Sequence, residues 1–268
     1  MESLRDIMMA WRGDFGDRPL QDGRLALTDV EQSALEVAAD THLQEAATVC
    51  PQGATPIAAC YGARICQRTS CSFIVNVGDC RFFILHKRRS SCRHRWLLSL
   101  LNLSRGLPLW KPVGPSWKKL VESRSLVPTF DWAKPNFVAT PFVESVNACD
   151  LFRHRHELRD LPASLKWVGE ATQHDLLDIV TKIGELLAVA HRAGRPWGEA
   201  ILENVIVDAQ RRTMLVDPET VFYVIPTWLR REHDLRMLVD SVTMAFAAAG
   251  EPTDRTVVEK AVRRGYTA

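Results

Sequence analysis

Leu176, Val180, Ile183, Leu187 and Ala190 recur at steps of four, three, four and three residues. That period lays an apolar stripe along one side of an α-helix, and the stripe has to be covered by a core. Gly194 and Pro196 stop such a helix soon after its last periodic residue. The segment beyond them is not a generic loop. Glu199 and Asn204 stand five residues apart, and Asp217 comes thirteen after Asn204. Residues 204–207 and 213–216 are short apolar runs that read as a brief hairpin around 208–212. A long buried helix therefore runs into a carboxylate, an amide and a second carboxylate, each bordering backbone expected to be rigid.

The rest of the chain changes texture near its middle. The first ~25 residues are mixed and turn-rich, and residues 27–50 predict a helix. Its start, Thr28-Asp29-Val30-Glu31, has the pattern of a capping box. Residues 54–87 carry short apolar runs at 56–61, 71–77 and 81–86, with Val77-Gly78-Asp79-Cys80 as a tight turn. Together these runs predict a small antiparallel sheet. After the sheet come a basic loop and an apolar, helix-like stretch over 95–103, stopped by Gly106 and Pro108. Residues 136–143 read as another strand, 144–150 as a polar hinge, and 229–246 as a largely buried helix. Strands first and helices later indicate an α+β, bilobal architecture. Its expected segments are an extension with a helix over 1–50, a small-sheet lobe over 51–146 and a mainly helical lobe over 147–268.

A chain of 268 residues, 46% apolar and 25% charged, has material for one large core or two modest ones. Its net charge of +2 does not call for a nucleic-acid partner. No apolar run approaches the ~20 residues needed to span a bilayer, and the N-terminus lacks the pattern of a secretory signal. A cytoplasmic protein is expected. Six of the seven cysteines fall between Cys50 and Cys92 without a Cys-x-x-Cys pair, and His86 and His94 complete no zinc spacing. They read as buried thiols. The run from Lys87 to Arg95 holds five formal positive charges. It is a solvated loop by default, or else a contact for an anionic partner such as a phosphorylated glycolipid, a membrane face or an RNA.

The spacing of Glu199, Asn204 and Asp217 suits phosphoryl transfer. An amide oxygen and a carboxylate held side by side are ligands for Mg²⁺, while the first carboxylate faces an incoming hydroxyl. The segment resembles the catalytic core of the protein-kinase-like superfamily. It looks closest to compact atypical members whose loop reads His-Gly-Asp-x-x-x-x-Asn, such as the lipopolysaccharide-core and Kdo sugar kinases and the small RIO-like kinases. Trp197-Gly198-Glu199 stands at the His-Gly-Asp position, Asn204 at the loop Asn, and Asp217-Pro218-Glu219 at Asp-Phe-Gly.

The resemblance implies a bilobal kinase-like fold over roughly 50–250, with ATP and Mg²⁺ as cofactors. It implies Lys87, at the end of a strand, on the nucleotide phosphates; Asn204 and Asp217 on the metal, joined by Glu219; and Glu199 as the catalytic residue toward a sugar, lipid or protein hydroxyl. Asp234, within His233-Asp234-Leu235-Arg236, matches the aspartate that tethers the loop in this family; as a generic helix residue it would face solvent. Trp197 is expected to pack beneath the loop. Glu203 is expected in solvent or paired with Arg192 or Arg195.

Three departures motivate a second reading, a pseudokinase that binds nucleotide or acts as a scaffold without transfer. Arg95 falls where the family has a helix glutamate to orient the lysine, leaving Glu122 as another source of that partner, or no partner at all. Residues 61–68 hold one glycine, Gly62, where protein kinases have a glycine-rich loop. Glu199 replaces an aspartate. A third reading is an unrelated α+β domain in which the motif is coincidental.

Overall fold

The computed structural model describes residues 4–11, 15–49, 70–87, 115–216 and 227–268. In chain order the elements are α1 (Leu4–Ala10), β1 (Leu20–Gln21), β2 (Arg24–Leu25), α2 (Asp29–Val49), β3 (Ser70–Val77), β4 (Cys80–Lys87), α3 (Pro115–Arg124), β5 (Thr129–Phe130), β6 (Phe137–Pro141), β7 (Ser145–Asn147), α4 (Ala148–His154), a 3-10 helix (Ala163–Glu170), α5 (Gln173–Arg192), a 3-10 turn (Leu202–Asn204), β8 (Val205–Asp208), β9 (Thr213–Leu215), α6 (Thr227–Ala248) and α7 (Arg255–Thr267). The architecture is α+β, with three small sheets of three strands among the described residues. Strand 56–61, loop 61–68 and helix 95–103, all expected from sequence, lie outside those residues, as do Arg95, Asp217 and Glu219.

The chain resolves into two compact units. One comprises Met8–Ser123 and Val127–Phe142. Here β3 and β4 form the expected hairpin, with Val77 opposite Cys80 and Gly78 at a φ of 58° in the turn. Strand β6 pairs antiparallel with the other side of β4, setting Ile84 opposite Ala139. Because side chains alternate along a strand, Phe73, Phe82, Ile84, Phe137 and Ala139 share one buried core with Leu35 and Ala39 of α2 and with Phe15. Phe15 meets Phe82 and Phe130 edge-on, with ring centroids 4.8 and 4.7 Å apart. Helix α2 starts as its sequence requires, the Glu31 carboxylate accepting from the Thr28 amide at 2.9 Å.

The opposite face of this sheet carries Leu85, which packs against Val138 and Val121 of α3. Lys87 is the last residue of β4, paired with Ser70.

The other unit comprises Met1–Ile7, Arg124–Leu126 and Val143–Ala268. Its centre is α5, whose predicted stripe of Leu176, Val180, Ile183, Leu187 and Ala190 is fully buried. Thr172 caps this helix reciprocally with Asp175: the Thr172 hydroxyl accepts from the Asp175 amide, and the Asp175 carboxylate accepts from the Thr172 amide and hydroxyl. Those bonds, led by the one from the Thr172 side chain, hold the Asp175 carboxyl below its usual range, at about 2.

Two expectations are corrected here. Residues 144–150 are not a polar connector, because Val146 is buried and β7 pairs with β8, after which Asn147 caps α4 by accepting from the Cys149 amide. Helix α6 buries only one side: Leu235, Leu238, Val239 and Val242 are covered, while Met244 is exposed.

Helix α7, which no motif announced, packs along α5. The two backbones approach so closely that a Cβ on Gly184 would stand 2.3 Å from the Val262 carbonyl oxygen. A Cβ on Gly265 would stand 1.9 Å from that of Thr181. Neither neighbour is the movable end of a side chain, so the helices would have to part.

Gly184→Ala and Gly265→Ala should each cost about 1–3 kcal/mol of stability through overpacking, read as a lower urea midpoint at unchanged slope; an unchanged midpoint would contradict the close crossing. The Asp175 pKa is depressed in the folded chain, so its contribution is present above the ordinary carboxylate pKa of about 4 and is lost as pH falls toward about 2. The difference in melting temperature between wild type and Asp175→Asn should therefore shrink across that window; a constant difference would rule out the assignment.

Candidate functional site

The turn after α5 is made by its own backbone. Gly194 adopts a φ of 72°, its amide reaching the His191 carbonyl, and the Arg195 amide bonds the Ala190 carbonyl at 2.8 Å. Pro196 and Trp197 then enter the interior, Trp197 at 1% exposure, in keeping with its expected packing role.

Beyond Trp197 the loop is fixed from below by Asp234, on the buried side of α6 and fully inaccessible. One Asp234 oxygen accepts the Trp197 amide at 2.6 Å and the His191 imidazole at 2.9 Å, and the other accepts the Gly198 amide at 2.9 Å. The tethering expected of Asp234 is therefore present, and it does not face solvent. Gly198 has a φ of 95°, where an L side chain is strained, so the bend that offers successive amides to one carboxylate requires glycine.

The loop then closes on itself. The Glu199 carbonyl accepts from the Ile201 amide at 2.9 Å and from the Asn204 side-chain nitrogen at 3.0 Å. The Leu202 amide is held by the Ser241 hydroxyl at 3.0 Å, and the Glu203 carbonyl by the Asn147 amide at 2.8 Å. Ser241 lies seven residues after Asp234, two turns along one helix face, which is the signal in the sequence that could have marked it as a second tether. Asn147, inside the segment read as a polar hinge, carried no sequence signal for this contact.

With its nitrogen committed to Glu199, Asn204 keeps Oδ1 as its free electron-pair donor, and no partner for that atom occurs among the described residues. An amide oxygen suits a hard divalent cation, so Asn204 fits the expected Mg²⁺ on its own chemistry. The Val216 amide donates to the Asn204 carbonyl at 2.9 Å, extending the pairing of β8 with β9. The backbone thus reaches Asn204 one residue before Asp217. Among the described residues no three or more His, Cys, Asp or Glu side chains cluster as a metal site.

Other expectations are redirected. Glu203 is exposed, as the first of its two expectations had it, and pairs with neither Arg192 nor Arg195; its carboxylate lies 3.7 Å from Arg153 and accepts the Cys149 thiol at 3.4 Å. Burial, reinforced by Glu203, pushes that thiol up to about 11, which keeps it protonated and unreactive. Arg195 donates instead to the Ser125 carbonyl at 3.1 Å, and burial lowers its pKa.

In the other unit, Glu122 accepts from Arg24 at 2.6 Å through one oxygen. The second is buried without a hydrogen bond, with Lys118 at 3.8 Å. Burial pushes the Glu122 carboxyl pKa up and the Lys118 pKa down.

No helix among the described residues is long and apolar enough to cross a membrane. No family model matches the chain, and no curated protein matches it. Among solved structures it is similar to WaaP in complex with acyl carrier protein, at 15% identity over 81% of this chain and 78% of that one, with a TM-score of 0.37. A likeness so slight fixes neither fold nor activity.

Asp234→Ala would leave two buried amides and an imidazole N–H without an acceptor, and should cost about 3 kcal/mol or more at ~1–3 kcal/mol per stranded group. Chemical denaturation measures this directly, and a loss below about 1 kcal/mol would show that the loop does not depend on Asp234.

Proposed function

We propose that the chain is an ATP- and Mg²⁺-dependent phosphotransferase of protein-kinase-like fold, carrying the γ-phosphate to a sugar, lipid or protein hydroxyl. The observation that carries this reading is the loop from Trp197 to Asn204. It is locked to α6 by Asp234, and its amide side chain is turned so that Oδ1 remains available. Positioning and electrostatics supply most of the catalysis of phosphoryl transfer, so a pre-set loop is what the reaction needs.

In this reading Asn204 holds the cation together with Asp217, and Glu219 adds a further oxygen. When bound, Mg²⁺ would neutralise charge on the β- and γ-phosphates. Glu199, on the same fixed backbone, accepts the proton of the attacking hydroxyl as general base. Its extra methylene relative to aspartate moves the carboxylate outward, so the acceptor hydroxyl must sit further from the loop. Lys87 holds the nucleotide phosphates. Glu122 is the carboxylate to orient it, since α3 packs through Val121 against Leu85 and Val138 of the same sheet and one Glu122 oxygen is still without a hydrogen bond. The proposed partners are a nucleotide and a hydroxyl-bearing acceptor, either a protein or an anionic glycolipid met at a membrane face by the run from Lys87 to Arg95.

A pseudokinase that binds nucleotide without transfer is the second reading, and Glu122 favours it. Arg24 already occupies one of its oxygens, and burial shifts it toward the neutral form, which orients a lysine poorly.

Millimolar ATP with Mg²⁺ should raise the melting temperature of wild type by mass action, and chelating the metal or Asn204→Ala should remove the rise. Labelled γ-phosphate should reach broad acceptor mixtures, with a loss of about 100-fold or more in Glu199→Gln. No metal-dependent shift would eliminate both readings. A shift with wild type and Glu199→Gln equally silent would leave the binding module.

A further inference from the structure

The Asp234 tether does not end at His191. The other ring nitrogen of that histidine, Nδ1, lies 2.9 Å from the hydroxyl of Tyr266, in the last turn of α7. His191 is 1% exposed and Asp234 is fully buried, while Tyr266 is half-buried with its ring edge-on to the imidazole at 5.5 Å. Arg231 donates to the His191 carbonyl at 2.8 Å, fixing the backbone of the same residue.

The chemistry of this chain of groups has a direction. An ionised Asp234 only accepts hydrogen bonds, so the ring nitrogen facing it, Nε2, must carry a proton. A neutral imidazole then has a bare lone pair at Nδ1, buried, and the Tyr266 hydroxyl is the donor in contact with it. Without that donor the Nδ1 lone pair is left bare and buried, a cost set against the preference Asp234 imposes and relieved by moving the proton to Nδ1 or by adding a second one. The Nδ1–H form would turn a lone pair toward the Asp234 carboxylate and remove one of its three donors. Burial raises the Tyr266 pKa, which keeps the phenol protonated and able to donate.

We propose that Tyr266 is a positioning residue for the Trp197–Glu199 loop, its hydroxyl holding His191 in the Nε2–H tautomer so that Asp234 keeps all three donors. The close crossing of Gly184 and Gly265 sets the reach, because Tyr266 follows Gly265 and cannot approach His191 unless α7 lies against α5. The C-terminal helix is thereby tied to the geometry of a loop about seventy residues earlier in the chain. The kinetic consequence rests on the phosphotransferase reading; the consequence for tautomer and loop does not.

The test uses full-length protein labelled with ¹⁵N in its histidine rings, as wild type and Tyr266→Phe, a substitution that deletes only the hydroxyl. Wild-type His191 should show a single Nε2–H tautomer at neutral pH. In Tyr266→Phe the ring should become a mixture or protonate, and the Trp197 and Gly198 amides should exchange with solvent roughly fivefold or more faster, as expected for the loss of one buried hydrogen bond. If phosphoryl transfer is observed, kcat should fall by a similar factor with the KM for ATP unchanged. An Nδ1–H or doubly protonated His191 in wild type would overturn the proposal by itself, even if Tyr266→Phe did not fold. So would an unchanged tautomer and unchanged amide exchange in the variant. Altered ring and amide signals without any transfer by wild type would uphold the role of Tyr266 and reject the phosphotransferase reading.

Discussion

A carboxylate with no access to water must be met by donors, since leaving it bare costs several kcal/mol. Asp234 meets this condition with two loop amides and one imidazole, contributed by the Trp197–Gly198 bend and the end of α5. Most of the candidate site depends on that arrangement. The bend must pass through a positive φ to offer both amides, hence Gly198; Trp197 must be buried to bring them down; and Glu199 and Asn204 are carried upward on the same rigid turn. The loop therefore owes its shape to a charge on a neighbouring helix more than to its own propensity.

That charge is positioned by helix packing. The stripe of α5 buries its side chains, but its end is set by how near α7 can come, and that distance is limited by two glycines. Where backbones touch, the contact is stiff, because interiors are close-packed and have no slack to absorb a methyl group. The result connects α7, His191, Asp234 and the loop as one body, in which both His191 ring nitrogens and both Asp234 carboxylate oxygens have partners.

The helices and hairpins were legible from the sequence wherever a local rule was enough. The α5 stripe, the Thr28 capping box and the Val77–Cys80 turn announced themselves through periodicity and turn chemistry, and the structure places them where those rules predict. Asp234 was legible as a tether only by resemblance to a family pattern. Tyr266 and the glycine crossing were not legible, since they join residues about eighty positions apart and a lone glycine inside a helix carries no sign of its neighbour. Residues 144–150 read as an irregular connector from their polar composition, whereas one buried valine and a capping asparagine were enough to make a strand and a helix start. Glu203 found Arg153 and Cys149 because β7 pairs with β8, a long-range register that sequence spacing does not encode.

The central claim is that the Asp234-tethered loop presents Asn204 to a nucleotide-bound divalent cation. Mn²⁺ in place of Mg²⁺ tests it most directly, because its paramagnetism broadens NMR signals only near the ion. With Mn²⁺ and ATP together, the Asn204 side-chain amide and the Glu199 backbone amide should broaden first, and Asn204→Ala should abolish the effect. If Asn204 stays sharp while signals elsewhere broaden, or if nothing broadens at millimolar nucleotide, the account of this site is wrong.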